Sequence, residues 1–196
     1  LAASDVLGIA QTGSGKTAAF VLPLLQHLLQ SPPRGDRRVR ALVLVPTREL
    51  ASQVAESVRT LSRFLAVPPK LVALFGGVSI NPQMMRLRGG ADIVVATPGR
   101  LLDLADKNAV ALDSVQWLVL DEADRMLDLG FAEELTQVLT LLPKQRQNLF
   151  FSATFSPAVQ TLANTLLHDP VRVEVKGLAQ QPTEIQQRAI AVDTGK

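Results

Sequence analysis

Cysteine and tyrosine are both missing from this chain of 196 residues, and histidine occurs only twice. Without cysteine there is no disulfide framework and no thiolate metal site. That suits a reducing compartment, and a cytoplasmic location is expected. Aromatic residues make up 4% of the chain, too few for a platform on which successive bases stack. A nucleic acid bound here would be gripped by its backbone. No apolar run approaches the roughly 18 residues that span a bilayer, so no membrane partner is expected. The N-terminus carries no basic-then-apolar leader pattern. It opens abruptly inside an α/β-like unit, as a piece of a longer chain would. Charge of either sign is nearly balanced, at +2 overall, which permits a polyanion without arguing for one. What the chain does have is 47% hydrophobic residues, enough for one well-packed domain and tight for two.

Short apolar runs alternate with helical patterns. Strands are expected at Val6–Ala10, Arg40–Val45, Leu71–Phe75, Asp92–Ala96, Val115–Leu120, Asn148–Phe151 and Val171–Val175. Most of these runs are continuously apolar, as strands covered on both faces of a parallel sheet are. Helical periods lie at Lys16–Leu29, Arg48–Phe64, Gln83–Arg88, Arg100–Asp106, Ala132–Leu142 and Pro157–Leu167. The repeated strand–helix order predicts an α/β fold, a doubly wound and mainly parallel sheet with helices on both faces. Domain limits are expected at 1–176, with 177–196 a polar linker and the start of another unit. Ser31–Arg38 reads as a solvated basic turn. Phe150, Phe151, Trp117 and Met126 read as packing, as do Met84 and Met85. His27 and His168 are unaccompanied and read as surface or helix-end residues.

Ligands of such sheets bind beyond the carboxyl ends of the strands, and the unusual residues fall there. Gln11 to Thr17, Pro46-Thr47-Arg48, Gly76-Gly77, Thr97 to Arg100, Asp121 to Asp124 and Ser152 to Thr154 each follow a strand. Ala10-Gln11-Thr12-Gly13-Ser14-Gly15-Lys16-Thr17 is a phosphate-binding loop, with Ala10 where the strict pattern has its first glycine. Gly13 and Gly15 let the backbone turn its N–H groups inward to cradle phosphate oxygens. Lys16 would reach the β- and γ-phosphates, and the Thr17 hydroxyl would ligate Mg²⁺. About a hundred residues on, Asp121 can hold Mg²⁺, directly or through water, and Glu122 can accept a proton from an attacking water. An acidic pair also suits a plain helix N-terminus; the phosphate loop tips the reading toward NTP hydrolysis. Asp124 reads as a hydrogen-bonding relay toward Ser152 and Thr154. Taken alone, Pro46-Thr47-Arg48-Glu49 would be an ordinary helix cap, and Thr97-Pro98-Gly99 an ordinary helix start.

In this order the segments AQTGSGKT (10–17), PTRELA (46–51), GG (76–77), TPGR (97–100), DEAD (121–124) and SAT (152–154) resemble the first RecA-like domain of DEAD-box RNA helicases. The likeness runs from about Asp5 to Val175. The flanks DEADRMLDLGF (121–131) and LPKQRQNLFFSATFSP (142–157) are most similar to the bacterial RhlE-type subgroup. The resemblance implies ATP and Mg²⁺ at Lys16, Thr17 and Asp121, and Glu122 as the catalytic base. It implies RNA-backbone contacts from Pro46, Thr47, Arg48, Gly76, Gly77, Thr97, Pro98, Gly99 and Arg100. Asp124, Ser152 and Thr154 would couple hydrolysis to strand separation.

The family's upstream adenine-reading segment does not lie within this sequence. Nor does the second RecA-like domain, whose arginines are worth ~10³–10⁵ in rate. The expected partners are RNA and that second domain, and the protein is expected to be monomeric. The isolated chain is expected to be nearly inactive. Three readings follow: an RNA-dependent ATPase that unwinds short duplexes, an ATP-gated RNA clamp that hydrolyses only for release, and, less favoured by DEAD, PTREL and TPGR, a DNA helicase or transporter ATPase.

Overall fold

The computed structural model describes residues 4–11, 13–30 and 37–175. The element order is β1 (Val6–Ile9), α1 (Lys16–Gln30), β2 (Ala41–Leu44), α2 (Arg48–Ser62), β3 (Leu71–Leu74), α3 (Asn81–Leu87) and β4 (Ile93–Ala96). It continues with α4 (Pro98–Asp106), β5 (Trp117–Leu120), α5 (Ala123–Asp128), α6 (Ala132–Thr140), β6 (Gln147–Ser152), α7 (Pro157–Leu166) and β7 (Val171–Glu174). The strands form one 7-stranded sheet in the order β3-β4-β2-β5-β6-β1-β7, parallel at every pairing.

The continuous apolar runs resolve into two faces. Leu42, Leu44, Val94, Leu118, Leu120 and Phe150 point to the side covered by α3 to α7. Ala41, Val43, Val95, Val119, Leu149 and Phe151 point to the side covered by α1 and α2. Each fully buried leucine or phenylalanine contributes roughly 1.5–3 kcal/mol, so a one-residue register slip in β2 or β5 would move whole sets to the wrong layer. Gly8 sits where the sheet is tightest: a Cβ there would lie 2.5 Å from the Phe151 ring.

All the expected strands are present, and the helical segments match within a few residues at their ends. The sequence reading missed α5, a six-residue helix directly after Glu122. Trp117 is half-buried rather than core; it opens β5 and stacks on His27 at 5.1 Å. β7 at the sheet edge is exposed throughout. The linker reading of 177–196, most of the Ser31–Arg38 turn, and Thr12 lie outside the described residues.

Strand-end hydrogen bonds gather the motif segments on one edge. Ala10 N–H donates to Ser152 O at 3.0 Å, Asp121 N–H to Leu44 O at 3.0 Å, Val45 N–H to Ala96 O at 3.0 Å and Thr97 N–H to Leu74 O at 3.0 Å.

Candidate functional site

The loop between β1 and α1 owes its shape to two left-handed glycines, Gly13 at φ 81° and Gly15 at φ 86°. A Cβ on either would meet nothing within 4 Å. Backbone conformation, not crowding, is therefore what calls for glycine there. Lys16 opens α1 and is buried, and its Nζ donates to Ala10 O at 2.9 Å. Thr17 follows in the first turn, half-buried, while Gln11, Gly13, Ser14 and Gly15 are exposed to an incoming ligand. The first-turn N–H groups and the helix dipole favour an anion at this end.

Asp121 directly follows β5 and is 2% exposed. Burial pushes its carboxyl up to about 6, against the pull of Lys16 and with the help of its acidic neighbours Glu122 and Asp124. Its Oδ1 accepts the Glu122 N–H at 3.0 Å. Glu122 caps α5 in the left-handed region, at φ 54° and ψ 50°, a conformation costing a non-glycine residue roughly 1–2 kcal/mol. This turn sets the two carboxylates apart, one buried toward Lys16 and one half-buried. Asp124, in the first turn of α5, accepts from Thr154 N–H at 3.0 Å and Thr154 Oγ1 at 2.9 Å. Burial opposes its charged form, but Thr154 and the Arg125 N–H more than offset that, and its carboxyl lies below the ordinary range. Ser152 is wholly buried, and its Oγ makes no hydrogen bond of ordinary length. It adds to the hold on Asp124 more weakly than Thr154 does.

Thr47 caps α2, its side chain accepting from Leu50 N–H at 3.2 Å. The cap and a backbone-gripping role use different faces of this turn: Pro46 is buried, whereas Arg48 is exposed. Arg48 Nε donates to Glu49 Oε1 at 2.6 Å. Its Nη1 lies 3.8 Å from where a Gly77 Cβ would stand. Gly76 and Gly77 are exposed, and Gly77 takes φ 76°. Thr97 and Pro98 are buried at the start of α4, with Gly99 and Arg100 half-buried. Arg100 Nη2 donates to Val78 O at 2.9 Å, and its buried Nε and Nη1 make no hydrogen bond. Its Nε lies 3.6 Å from Asp103 Oδ2, one turn along α4.

Two side chains at this edge, Gln83 and Arg125, escaped the sequence reading, while Glu49 was read only as part of a helix cap. Gln83 is buried and brackets Phe75, accepting its N–H at 3.0 Å and donating to its carbonyl at 3.1 Å, which fixes the approach to the Gly76–Gly77 turn. Arg125 Nη1 lies 3.8 Å from Glu122 Oε2. Glu49 is the partner of Arg48. Only the last was legible, as a neighbour in the chain.

A cavity of about 350 Å³ opens beside Lys16 and Ser14 and runs between α1 and the β6–β1–β7 edge, walled by Phe20, Phe151 and the β7 valines. Its lining is apolar, so the phosphate chemistry belongs to the strand-end clusters and not to this cavity. Among the described residues no group of three or more histidine, aspartate or glutamate side chains converges on a metal position. The donor set fits Mg²⁺ even so, because Mg²⁺ is held by one or two protein oxygens together with substrate phosphates rather than by an all-protein cage. Thr17 Oγ1 and the Asp121 carboxylate are the oxygens that would take that part.

Comparison with known proteins agrees with this arrangement. Residues 1–162 match the DEAD/DEAH box helicase family. The chain is 43% identical to the RNA helicase CrhR of Synechocystis over 195 residues, covering 100% of this chain and 38% of that protein. It is 41% identical to the pre-mRNA-processing ATP-dependent RNA helicase prp-5 of Neurospora crassa, covering 98% of this chain and 16% of that one. The crystal structure of the yeast DEAD-box splicing factor Prp28 superposes with a TM-score of 0.81 at 38% identity, over 88% of this chain and 42% of that one. The chain thus spans well under half the length of these relatives, and it belongs to the DEAD/DEAH box helicase family as a RecA-like domain.

Proposed function

We propose that this domain binds ATP with Mg²⁺ and the backbone of single-stranded RNA, and that the longer protein hydrolyses ATP to unwind short RNA duplexes. The observation that carries this reading is one sheet edge holding Lys16, Asp121 and Glu122 beside a second row of groups at Arg48, Gly77 and Arg100, the first two exposed and the third half-buried. The names of the relatives, RNA helicases from a cyanobacterium and a fungus, support RNA over DNA.

Each residue then has a task. The 13–15 backbone cradles the β- and γ-phosphates, and Lys16 holds their charge. Mg²⁺ would be held by Thr17 and Asp121, and would supply charge neutralisation at the phosphates. Glu122 orients the attacking water and takes its proton. Asp124 ties this carboxylate turn to Thr154, so that a shift in α5 is felt at the end of β6. Pro46, Thr47, Arg48, Gly76, Gly77 and Thr97 to Arg100 grip phosphates without reading bases. A second RecA-like domain would close over both ligands, with residues 1–176 forming this lobe and 177–196 leading onward. The flanks at 121–131 and 142–157 support a reading of the protein as RhlE-type, acting as a cytoplasmic monomer.

The test uses the full-length protein with Lys16→Ala and Glu122→Gln. Lys16→Ala weakens ATP binding at least about tenfold, since a buried charge-assisted contact is worth roughly 1.5–3 kcal/mol. Glu122→Gln keeps binding and loses turnover. ATP affinity unchanged by Lys16→Ala, or turnover stimulated equally by DNA and RNA, would overturn the reading.

A further inference from the structure

We propose that Gln83 is a positioning residue for the RNA-gripping row: its buried amide holds the loop from Phe75 to Ser79 in the shape that presents the Gly76–Gly77 backbone to a phosphate. The inference rests on the function proposed above and deepens it, by naming what keeps that part of the grip preformed.

β3 is an edge strand, hydrogen-bonded to β4 on one side only. Just past that pairing, Leu74 O accepts the Thr97 N–H. Phe75 comes next and turns its backbone groups the opposite way, toward the open edge. An edge leaves such groups without a ladder partner. Gln83, in the first turn of α3, stands in for the missing strand. Its Oε1 accepts the Phe75 N–H at 3.0 Å, and its Nε2 donates to Phe75 O at 3.1 Å. Nε2 also donates to Ser79 O, at a longer 3.5 Å. A side-chain amide carries donor and acceptor side by side, and the two-methylene stem of glutamine gives it the reach. The residue is 4% exposed, so water is a poor substitute for it. On the far side of the turn, Arg100 Nη2 donates to Val78 O at 2.9 Å. Side chains from α3 and α4 thus hold the backbone before and after Gly76 and Gly77, which are themselves exposed.

Two successive glycines need such a hold. Gly77 sits at φ 76°, and glycine loses more freedom than any other residue when one conformation is fixed. A loop that visits many shapes binds a ligand more weakly, in proportion to the fraction of time spent in the right one. Fixing Phe75 and Val78 in advance removes much of that loss. Gln83 lies behind the loop, whereas Gly77 faces Arg48, whose Nη1 is 3.8 Å from where a Cβ would stand. Gln83 therefore acts on RNA through Gly76 and Gly77. The nucleotide uses other segments, the loop after β1 and the turn after β5.

The full-length protein tests this with Gln83→Met, which keeps the length of the side chain and removes the amide, and with Gln83→Asn, which keeps the amide but draws it back by one methylene. ATP turnover is titrated with a single-stranded RNA oligonucleotide, and nucleotide affinity is measured without RNA. Gln83→Met raises the RNA concentration for half-maximal turnover about tenfold, the weight of two ordinary hydrogen bonds. Turnover at saturating RNA and nucleotide affinity stay close to wild type. Gln83→Asn shifts half-saturation in the same direction. Added to Gly77→Ala, Gln83→Met costs less than it does alone, because both act through one loop. Half-saturation unchanged in both Gln83 variants overturns the inference. So does a parallel fall in saturated turnover and nucleotide affinity, which a merely structural residue would give. A wild type whose turnover RNA does not stimulate sinks the proposed function, and this inference with it.

Discussion

Asp121→Asn is expected to make the domain more stable while disabling it. The carboxyl is buried at 2% exposure, and its protonation midpoint is about 6 against an ordinary 3.8. A raised midpoint means that the folded form holds the proton more tightly than the unfolded chain does. Stability from this group is therefore full below the unfolded value and falls as pH rises toward 6. Above that it stays low, at a cost of about 3 kcal/mol. Asparagine removes the charge yet keeps an oxygen for the Glu122 N–H. The gain at pH 7.5 should be about 1–3 kcal/mol, or a rise of roughly 2–10 °C in melting temperature for a domain of this size. Urea unfolding followed by fluorescence of Trp117, the single tryptophan, measures it directly. About half of the gain should remain at pH 5 and almost none below pH 4. A variant that is destabilised at pH 7.5, or stabilised equally at pH 5 and 7.5, would refute the reasoning.

The same midpoint sets a pH dependence for the ligand. Mg²⁺-dependent nucleotide binding, followed by calorimetry, should weaken below pH 6 toward a tenfold loss per unit as Asp121 takes up its proton; a flat profile from pH 7 to 5 would count against Asp121 as a ligand. Gly90→Ala should cost at least about 2 kcal/mol, because φ is 75° and a Cβ would stand 1.7 Å from the Arg37 carbonyl oxygen; a melting temperature within 2 °C of wild type is the contrary result. Asp5→Ala should cost about 3 kcal/mol by chemical denaturation, since one buried carboxylate accepts from Asn148 N–H, Asn148 Nδ2 and His168 N–H; a loss under 1 kcal/mol would show that these contacts are replaced by water.

Much of the fold was legible because a parallel sheet writes itself as continuous apolar runs. Val43 and Leu44 belong to opposite layers, yet both had to be apolar, so β2 was plain from composition alone. The phosphate loop was equally plain, since Gly13, Gly15 and Lys16 are local in the chain. α5 was not: six residues rich in acids carry too short an apolar period to separate from a loop. Gln83 and Arg125 were also hidden. The Gln83 contact depends on how α3 meets β3, which no spacing within the chain reports, whereas Arg125 stands three residues after Glu122 and was hidden because α5 itself was. Trp117 misled for a related reason. Its strand is central, but it stands at the strand's first residue, partly buried against the core and stacked on His27 of α1.

The left-handed backbone at Glu122 bears on how substitutions there should be interpreted. Isoleucine, valine or threonine would clash with their own main chain before any proton transfer came into question, so their inactivity would say nothing about acid–base chemistry. Glutamine shares the unbranched shape and isolates the effect of charge. Glycine would relax the turn and let α5 swing, loosening Asp124 from Thr154 along with the lost carboxylate. At this position the conformational demands of the turn and the chemical demands of the reaction narrow the acceptable residues together, and a screen scored on catalysis alone would confuse one with the other.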